Sequence, residues 1–323
     1  MIRKKHLKSA PKRRIISAPL VPNRGDELAY ARRLAALCRP MLKKVYAETV
    51  KAYRESAIAV AVKKISMDSA VDDLFLMLED FQDVFQDEFD MMALPLAEEM
   101  VEKQFANSAR DFARITKQMV SQTTALTAPA MSAGGISVSV DPGAAQSVNI
   151  VKTALNVGSF AIPGSIFDIS PQMSVALKAS IQENVSLIKS IPPQFFDRVA
   201  GAVTRSMQAG GSVKQLADEL KQYALMTDRR AKNIAMDQTR KTYAALNLRR
   251  MQDAGITKFK WSHTGGSVKP RQFHLAPYPE GLNGGIFSIE EPPVIEPNSG
   301  ITGFPAQLPF CRCTMQAVIE LDD

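Results

Sequence analysis

A chain of 323 residues that is 46% hydrophobic and 23% charged has apolar material for about two domains and too little charge for wholesale disorder. Its apolar stretches, such as Ser56 to Val62 and Asn149 to Ile162, are short or broken by Lys152, well below the ~20 residues of a membrane span. The three cysteines (Cys38, Cys311 and Cys313) exclude a disulfide scaffold and suit a reducing compartment.

The net charge of +7 is local. Residues 1–14 carry Arg3, Lys4, Lys5, Lys8, Lys12, Arg13 and Arg14 and no acid, which leaves 33 basic against 33 acidic groups in the rest. No apolar run follows, so this is not the pattern of a secretory signal. Residues 1–25 are expected to form a basic, flexible arm that either stays solvated or touches DNA phosphates or an acidic protein surface.

Residues 26–122 read as a helical module. Asp26 is the expected N-cap of a first helix, which Pro40 should kink or break before Met41 to Tyr53 resumes it. Between Met67 and Met92, Leu74, Leu78, Phe81, Phe85, Phe89 and Met92 recur at steps of three and four and so share one helical face. Asp72, Asp73, Glu79, Asp80, Asp83, Asp87, Glu88 and Asp90 occupy the other faces, with no Lys or Arg between Val71 and Met100. No His or Lys stands near to split two carboxyl pKa values, so these acids read as a solvated face for a basic partner and not as a catalytic pair. A third helix is expected over about Pro95 to Val120.

Residues 123–148, rich in Ser, Thr, Ala, Gly and Pro, read as a long linker or extended arm, with a short strand at Ile136 to Val140. Residues 149–323 form the second module. Helices are expected over Ser170 to Ile191, ended by Pro192-Pro193, then over Phe195 to Gln208. Ser212 should cap another with Leu216, Leu220 and Tyr223 on one face, and Thr227 to Asp253 a last one closed by Gly255. On that last helix Arg229, Lys232, Arg240 and Arg250 fall within an arc of roughly 80°, a solvated basic face or a contact for phosphates. Ala231, Ala235, Thr242 and Ala245 lie opposite. Phe259, Trp261 and His263 alternate with Lys258, Lys260 and Ser262 as in a strand. Six prolines and seven glycines between Gly265 and Gly303 then rule out continued helix.

The ordered series Arg230-Ala231, Ile234-Ala235, Asp237-Gln238-Thr239, Gly255-Ile256, Lys258, Trp261, Arg271, His274, Gly284 and Cys311-Arg312-Cys313 resembles the phage Mu F-like head morphogenesis proteins, minor capsid proteins of tailed bacteriophages. The resemblance covers about residues 180 to 320. It implies a non-enzymatic virion protein inside the head near the portal vertex, in the host cytoplasm during procapsid assembly. Such a protein acts in head assembly and in genome packaging, retention or ejection. The implied partners are the portal protein, the major capsid or scaffold protein and packaged double-stranded DNA. The fold class that follows is mainly α with a smaller α+β C-terminal domain: an N-terminal helical bundle that docks on portal or capsid, a long flexible connection and a Mu F-like domain. Two positions depart from the family pattern. Gly265-Gly266-Ser267 stands where many members carry an Asp, and Phe310 where many carry an Asn.

Cys311 and Cys313, at i and i+2, point to one face if extended and can then share one soft metal ion. With His263 and His274 they make a candidate Cys₂His₂ set, and structural zinc is the cofactor this suggests. Buried reduced thiols and hydrogen-bonded histidines are the alternative. A metal-dependent enzyme or nuclease using the same four residues, or a DNA-binding packaging accessory, are the competing functions. Cys311 as nucleophile with His274 as base is a further option, in which Arg312 would lower the thiolate pKa.

Overall fold

The computed structural model describes residues 13–64, 66–131, 169–265 and 270–321. It is mainly helical, with a smaller mixed α+β part near its C-terminal end. Two compact units emerge among the described residues, each assembled from separated stretches: a helical unit (within 23–104 and 175–242) and a mixed unit (within 13–22, 105–131, 169–174 and 243–321). The consecutive modules expected at 26–122 and 149–323 are therefore interleaved. Two long helices cause this, because each contributes to both units. Among the described residues no helix is long and apolar enough to cross a membrane.

The helical unit begins at Asn23, whose side chain accepts from the Gly25 amide at 2.7 Å and caps α1 (Arg24–Ala61). Asp26 is thus not the cap. It sits in the first turn, where a carboxylate suits the helix dipole, and pairs with Lys103 at 2.8 Å. Helix α1 runs through Pro40 as one element. Ala36, whose carbonyl has no N–H at Pro40 to accept from, is exposed and can turn that oxygen to water.

Helix α2 (Met67–Met131) joins what the sequence suggested were two helices. Its Pro95 lies on the exposed side together with Met91, the residue four before it, so the lost hydrogen bond is again a solvated one. Leu74, Leu78, Phe85 and Phe89 are buried as their spacing requires, while Met92 at the end of that row is 39% exposed. The acids from Asp72 to Asp87 are exposed or nearly so. Residues 123–131 extend α2 and are not part of a linker. The remainder of the 123–148 stretch, with the strand expected at Ile136 to Val140, lies outside the described residues.

Helix α3 (Pro171–Lys189) is followed almost at once by α4 (Ile191–Gln208), with Pro192 and Pro193 in its first turn. The prolines open α4 instead of closing α3, because first-turn N–H groups have no helical partner to lose. Ser212 and Gln215 then form a reciprocal capping box: the Ser212 hydroxyl accepts from the Gln215 amide at 3.2 Å, and the Ser212 amide donates to Gln215 Oε1 at 2.9 Å. The helix they start, α5 (Val213–Asp253), continues unbroken where two helices were expected. Leu34, Met41, Leu74, Phe89, Val199 and Leu216 centre the helical core.

The basic stripe foreseen on α5 is not one solvated face. Arg240 turns inward to Glu27 at 2.8 Å, its side chain 14% exposed. Arg250 is 5% exposed, donates to Ser108 at 2.8 Å and lies over the Phe105 ring. Of the small residues opposite, Ala231, Ala235 and Thr242 are buried but Ala245 is exposed.

The mixed unit is built on a four-stranded antiparallel sheet of order β1-β6-β2-β3. Its strands are β1 (Arg13–Ile16), β2 (Lys258–His263), β3 (Ile286–Ser288) and β6 (Cys313–Leu321). A one-turn helix α6 (Gln272–Leu275) and a small ribbon of β4 (Val294–Glu296) and β5 (Ile301–Thr302) fill the long connection between β2 and β6. Phe112, Ile115, Tyr243, Phe259, Trp261 and Met315 form the core.

Residues 13–22 are not a loose arm. Arg13 pairs with Leu321 and Ile16 with Val318 in register. Arg14 donates to Glu320 at 3.0 Å, and Lys258 reaches the other carboxylate oxygen at 2.6 Å. Arg3, Lys4, Lys5, Lys8 and Lys12 lie outside the described residues.

The hydrogen bond from Lys258, followed by that from Arg14, holds the Glu320 carboxyl below its usual range. A carboxyl depressed by folding stabilises above its unfolded value, near pH ~4, and loses that contribution as pH falls through the folded value. Amide exchange at Ile15 and Ser17 should therefore accelerate in acid more than exchange in β2. Glu320→Gln should speed it already at neutral pH and flatten its pH dependence.

Candidate metal centre

The site grows from the end of α5. Gly255, at φ 74°, closes that helix, with its amide on the Gln252 carbonyl and the Ile256 amide on the Met251 carbonyl, both at 2.9 Å. The chain leaves directly into β2. Alternation then places Phe259, Trp261 and His263 on one face. The register sets Phe259 opposite Ala317, Trp261 opposite Met315 and His263 opposite Cys313. Directly opposed residues share a face, so β6 presents Cys313, Met315 and Ala317 to the same side. Gly284 closes a tight turn against β2 at φ 84°, its amide on the Trp261 carbonyl at 2.9 Å.

His274 comes from α6 and is 3% exposed. Its Nε2 lies 2.8 Å from the Ile295 carbonyl. A carbonyl only accepts, so Nε2 carries the hydrogen, and in the neutral ring Nδ1 is left with a lone pair. That Nδ1 faces two sulfurs, Cys311 Sγ at 3.5 Å and Cys313 Sγ at 3.8 Å. The ring stands edge-on to Trp261, centroids 5.1 Å apart. The ligand atoms of His274, Cys311 and Cys313 all lie within 4.8 Å of one another. Tetrahedral zinc, with Zn–S near 2.3 Å and Zn–N near 2.1 Å, sets sulfur and nitrogen about 3.6 Å apart. The three residues can therefore hold a metal ion. The Ile295 carbonyl supplies the outer hydrogen bond that orients a ligating histidine.

A cavity of about 20 Å³ lies among His263, Pro270, Arg271, His274, Phe310, Cys311, Arg312 and Cys313. On this measure a single water needs roughly 10–15 Å³, so the space admits one ion or one water. The Cys313 hydrogen bond, then that of His274 and the backbone amides of Cys313 and Ala306, lower the Cys311 thiol to about 4. The hydrogen bond with Cys311 and burial push the Cys313 thiol up. Cys38 lies in the core of the helical unit, where burial pushes its thiol up to about 12.

Of the four residues singled out by spacing, His274, Cys311 and Cys313 come together as mutually close donors, and His263 lies beside them with its Nδ1 3.5 Å from Cys313 Sγ. Cys311 itself precedes β6, so the shared face comes from the turn into the strand and not from an extended pair. Two supporting residues carry no sequence signal for their roles: Ile295 acts through its carbonyl, and Arg271 donates to the Pro309 carbonyl at 3.2 Å. The Arg271 contact ties the segment before Cys311 to α6.

Residues 197–316 match the family model described as Phage Mu protein F like protein. Over these residues the chain is similar to that family. An uncharacterised protein of Haemophilus influenzae is 33% identical over 151 residues, covering 47% of this chain and 31% of that protein. The chain thus spans under a third of the length of this relative. No solved structure matches it.

The Mu F like signature is largely structural on this chain. Arg230 donates to the Ser190 hydroxyl at 2.8 Å, while Ala231, Ile234 and Ala235 are core. Asp237 pairs with Lys241 at 3.1 Å. Gln238 accepts from Asn184 at 3.2 Å and donates to Glu183 at 2.8 Å. The Thr239 hydroxyl donates to the Ala235 carbonyl at 2.8 Å.

Phe310 adopts φ 59°, a left-handed conformation that Asn tolerates and a bulky residue resists. Asn is the residue expected there from the family pattern. Phe310→Asn should raise stability by about 1 kcal/mol, measured as an increase in Tm.

Proposed function

We propose that this chain is a minor capsid protein of a tailed bacteriophage that acts in head assembly next to the portal, through binding and not catalysis. The match of residues 197–316 to the Phage Mu protein F like family carries this reading. Basic residues 1–12 are its contact with packaged DNA or an acidic capsid surface, and the solvated acidic face of α2 is its contact with a basic partner. The burial of the centre around His274, with Cys311 and Cys313 5% and 3% exposed, supports an architectural role for it.

Because β1 starts at Arg13, the informative truncation removes residues 1–12 and keeps the strand. That variant should fold normally, with unchanged circular dichroism and Tm. It should nevertheless be depleted from purified heads, or leave heads that retain less DNA. Full incorporation, DNA retention and infectivity with the truncated chain would show that the arm is dispensable. Absence of the intact chain from purified particles would refute the capsid assignment itself.

A further inference from the structure

We infer that His263 joins His274, Cys311 and Cys313 as the fourth ligand of a closed tetrahedral zinc site, a staple that pins the end of β2 and the helix α6 to the start of β6. The inference is independent of the capsid role, since it concerns only atoms of the mixed unit.

Three ligands alone describe an open site, with a fourth position for water; four protein ligands describe a sealed one. His274, Cys311 and Cys313 are mutually close, and the register brings His263 to the group through Cys313. His263 is the residue opposite Cys313 in the β2–β6 ladder, so both side chains project from the same face of neighbouring strands. Its Nδ1 lies 3.5 Å from Cys313 Sγ, close to the ~3.6 Å that a shared tetrahedral zinc imposes. The His274 Nδ1 approaches Cys313 from α6 at 3.8 Å. Both histidines and both cysteines line the same small cavity. The His263 backbone is fixed as well, its amide donating to Asn283 Oδ1 at 3.0 Å.

Two soft thiolate ligands with two imidazoles select zinc over magnesium or calcium.

The test uses the full-length chain purified from zinc-replete cells, with metal content measured by plasma mass spectrometry. One equivalent of zinc per chain is expected, and Cys313→Ser should carry none. Replacing zinc by Co²⁺ should give the visible bands of a tetrahedral site together with sulfur-to-cobalt charge transfer. His263→Ala should still bind the ion, but about 10-fold or more weakly, with altered cobalt bands as water takes the fourth position. If Cys313→Ser fails to fold, the wild-type chain decides: a chelator should lower its Tm and added zinc should restore it. A folded wild-type chain that contains no zinc and takes none up would overturn the site. Unchanged cobalt bands and affinity in His263→Ala would overturn the role of His263.

Discussion

The pairing of β2 with β6 is the constraint on which the chemistry of the mixed unit rests. The ladder sets His263 against Cys313 and Trp261 against Met315, and a slip of one residue would turn one strand's inward set to the opposite face. Phe259, Trp261, Met315 and Ala317 are fully or almost fully buried on that face, so apolar burial enforces the register that the thiols and imidazoles require. Hydrophobic packing and the His263–Cys313 pair here favour the same alignment, while His274 and Cys311 are brought to it by the connection between β2 and β6.

The helical unit solves a different problem, the placing of polar groups between long helices. Tyr30 donates to Asn184 at 3.2 Å, Asn184 to Gln238 at 3.2 Å, and Gln238 to Glu183 at 2.8 Å, with Lys241 closing the chain on Glu183 and Asp237. Connected polar groups of this kind fix how helices align, because any shift leaves buried donors or acceptors unpaired. The Asp-Gln-Thr segment that marks the family in sequence is thus a piece of this alignment device. The same holds for Arg230, which reaches the hydroxyl at the junction of α3 and α4.

Much of this was readable from residue order. The periodicity from Leu74 to Phe89 gave the buried face of α2, the alternation around Trp261 gave β2, Ser212 and Gly255 gave the two ends of α5, and cysteine spacing with histidine scarcity pointed to the donors His274, Cys311 and Cys313 that the structure brings together. What escaped had physical reasons. Proline marked two boundaries incorrectly, because Pro40 and Pro95 lie on solvated sides where a lost hydrogen bond is replaced by water, whereas Pro192-Pro193 do mark a junction, from the first turn of α4. Arg240 and Arg250 looked solvated on a helical wheel, but tertiary partners (Glu27 for one, Ser108 and Phe105 for the other) draw them inside. The support of His274 by Ile295 uses a main-chain oxygen, which has no signature in side-chain identity. The interleaving of the units was equally hidden, since composition registers local texture and not which distant stretches meet.

The attachment of β1 to β6 bears on how the protein comes into being. Arg14 and Glu320 are separated by 306 positions along the chain, so the first strand waits for its partner until everything up to β6 has been made. Loop closure over such a span adds an entropic cost that grows only slowly with length, but it delays completion of the sheet. The sheet is therefore completed only once β6 is available, while the helices emerging in between can already pair with near neighbours. A nascent chain released early would lack the strand that its own beginning is built to meet.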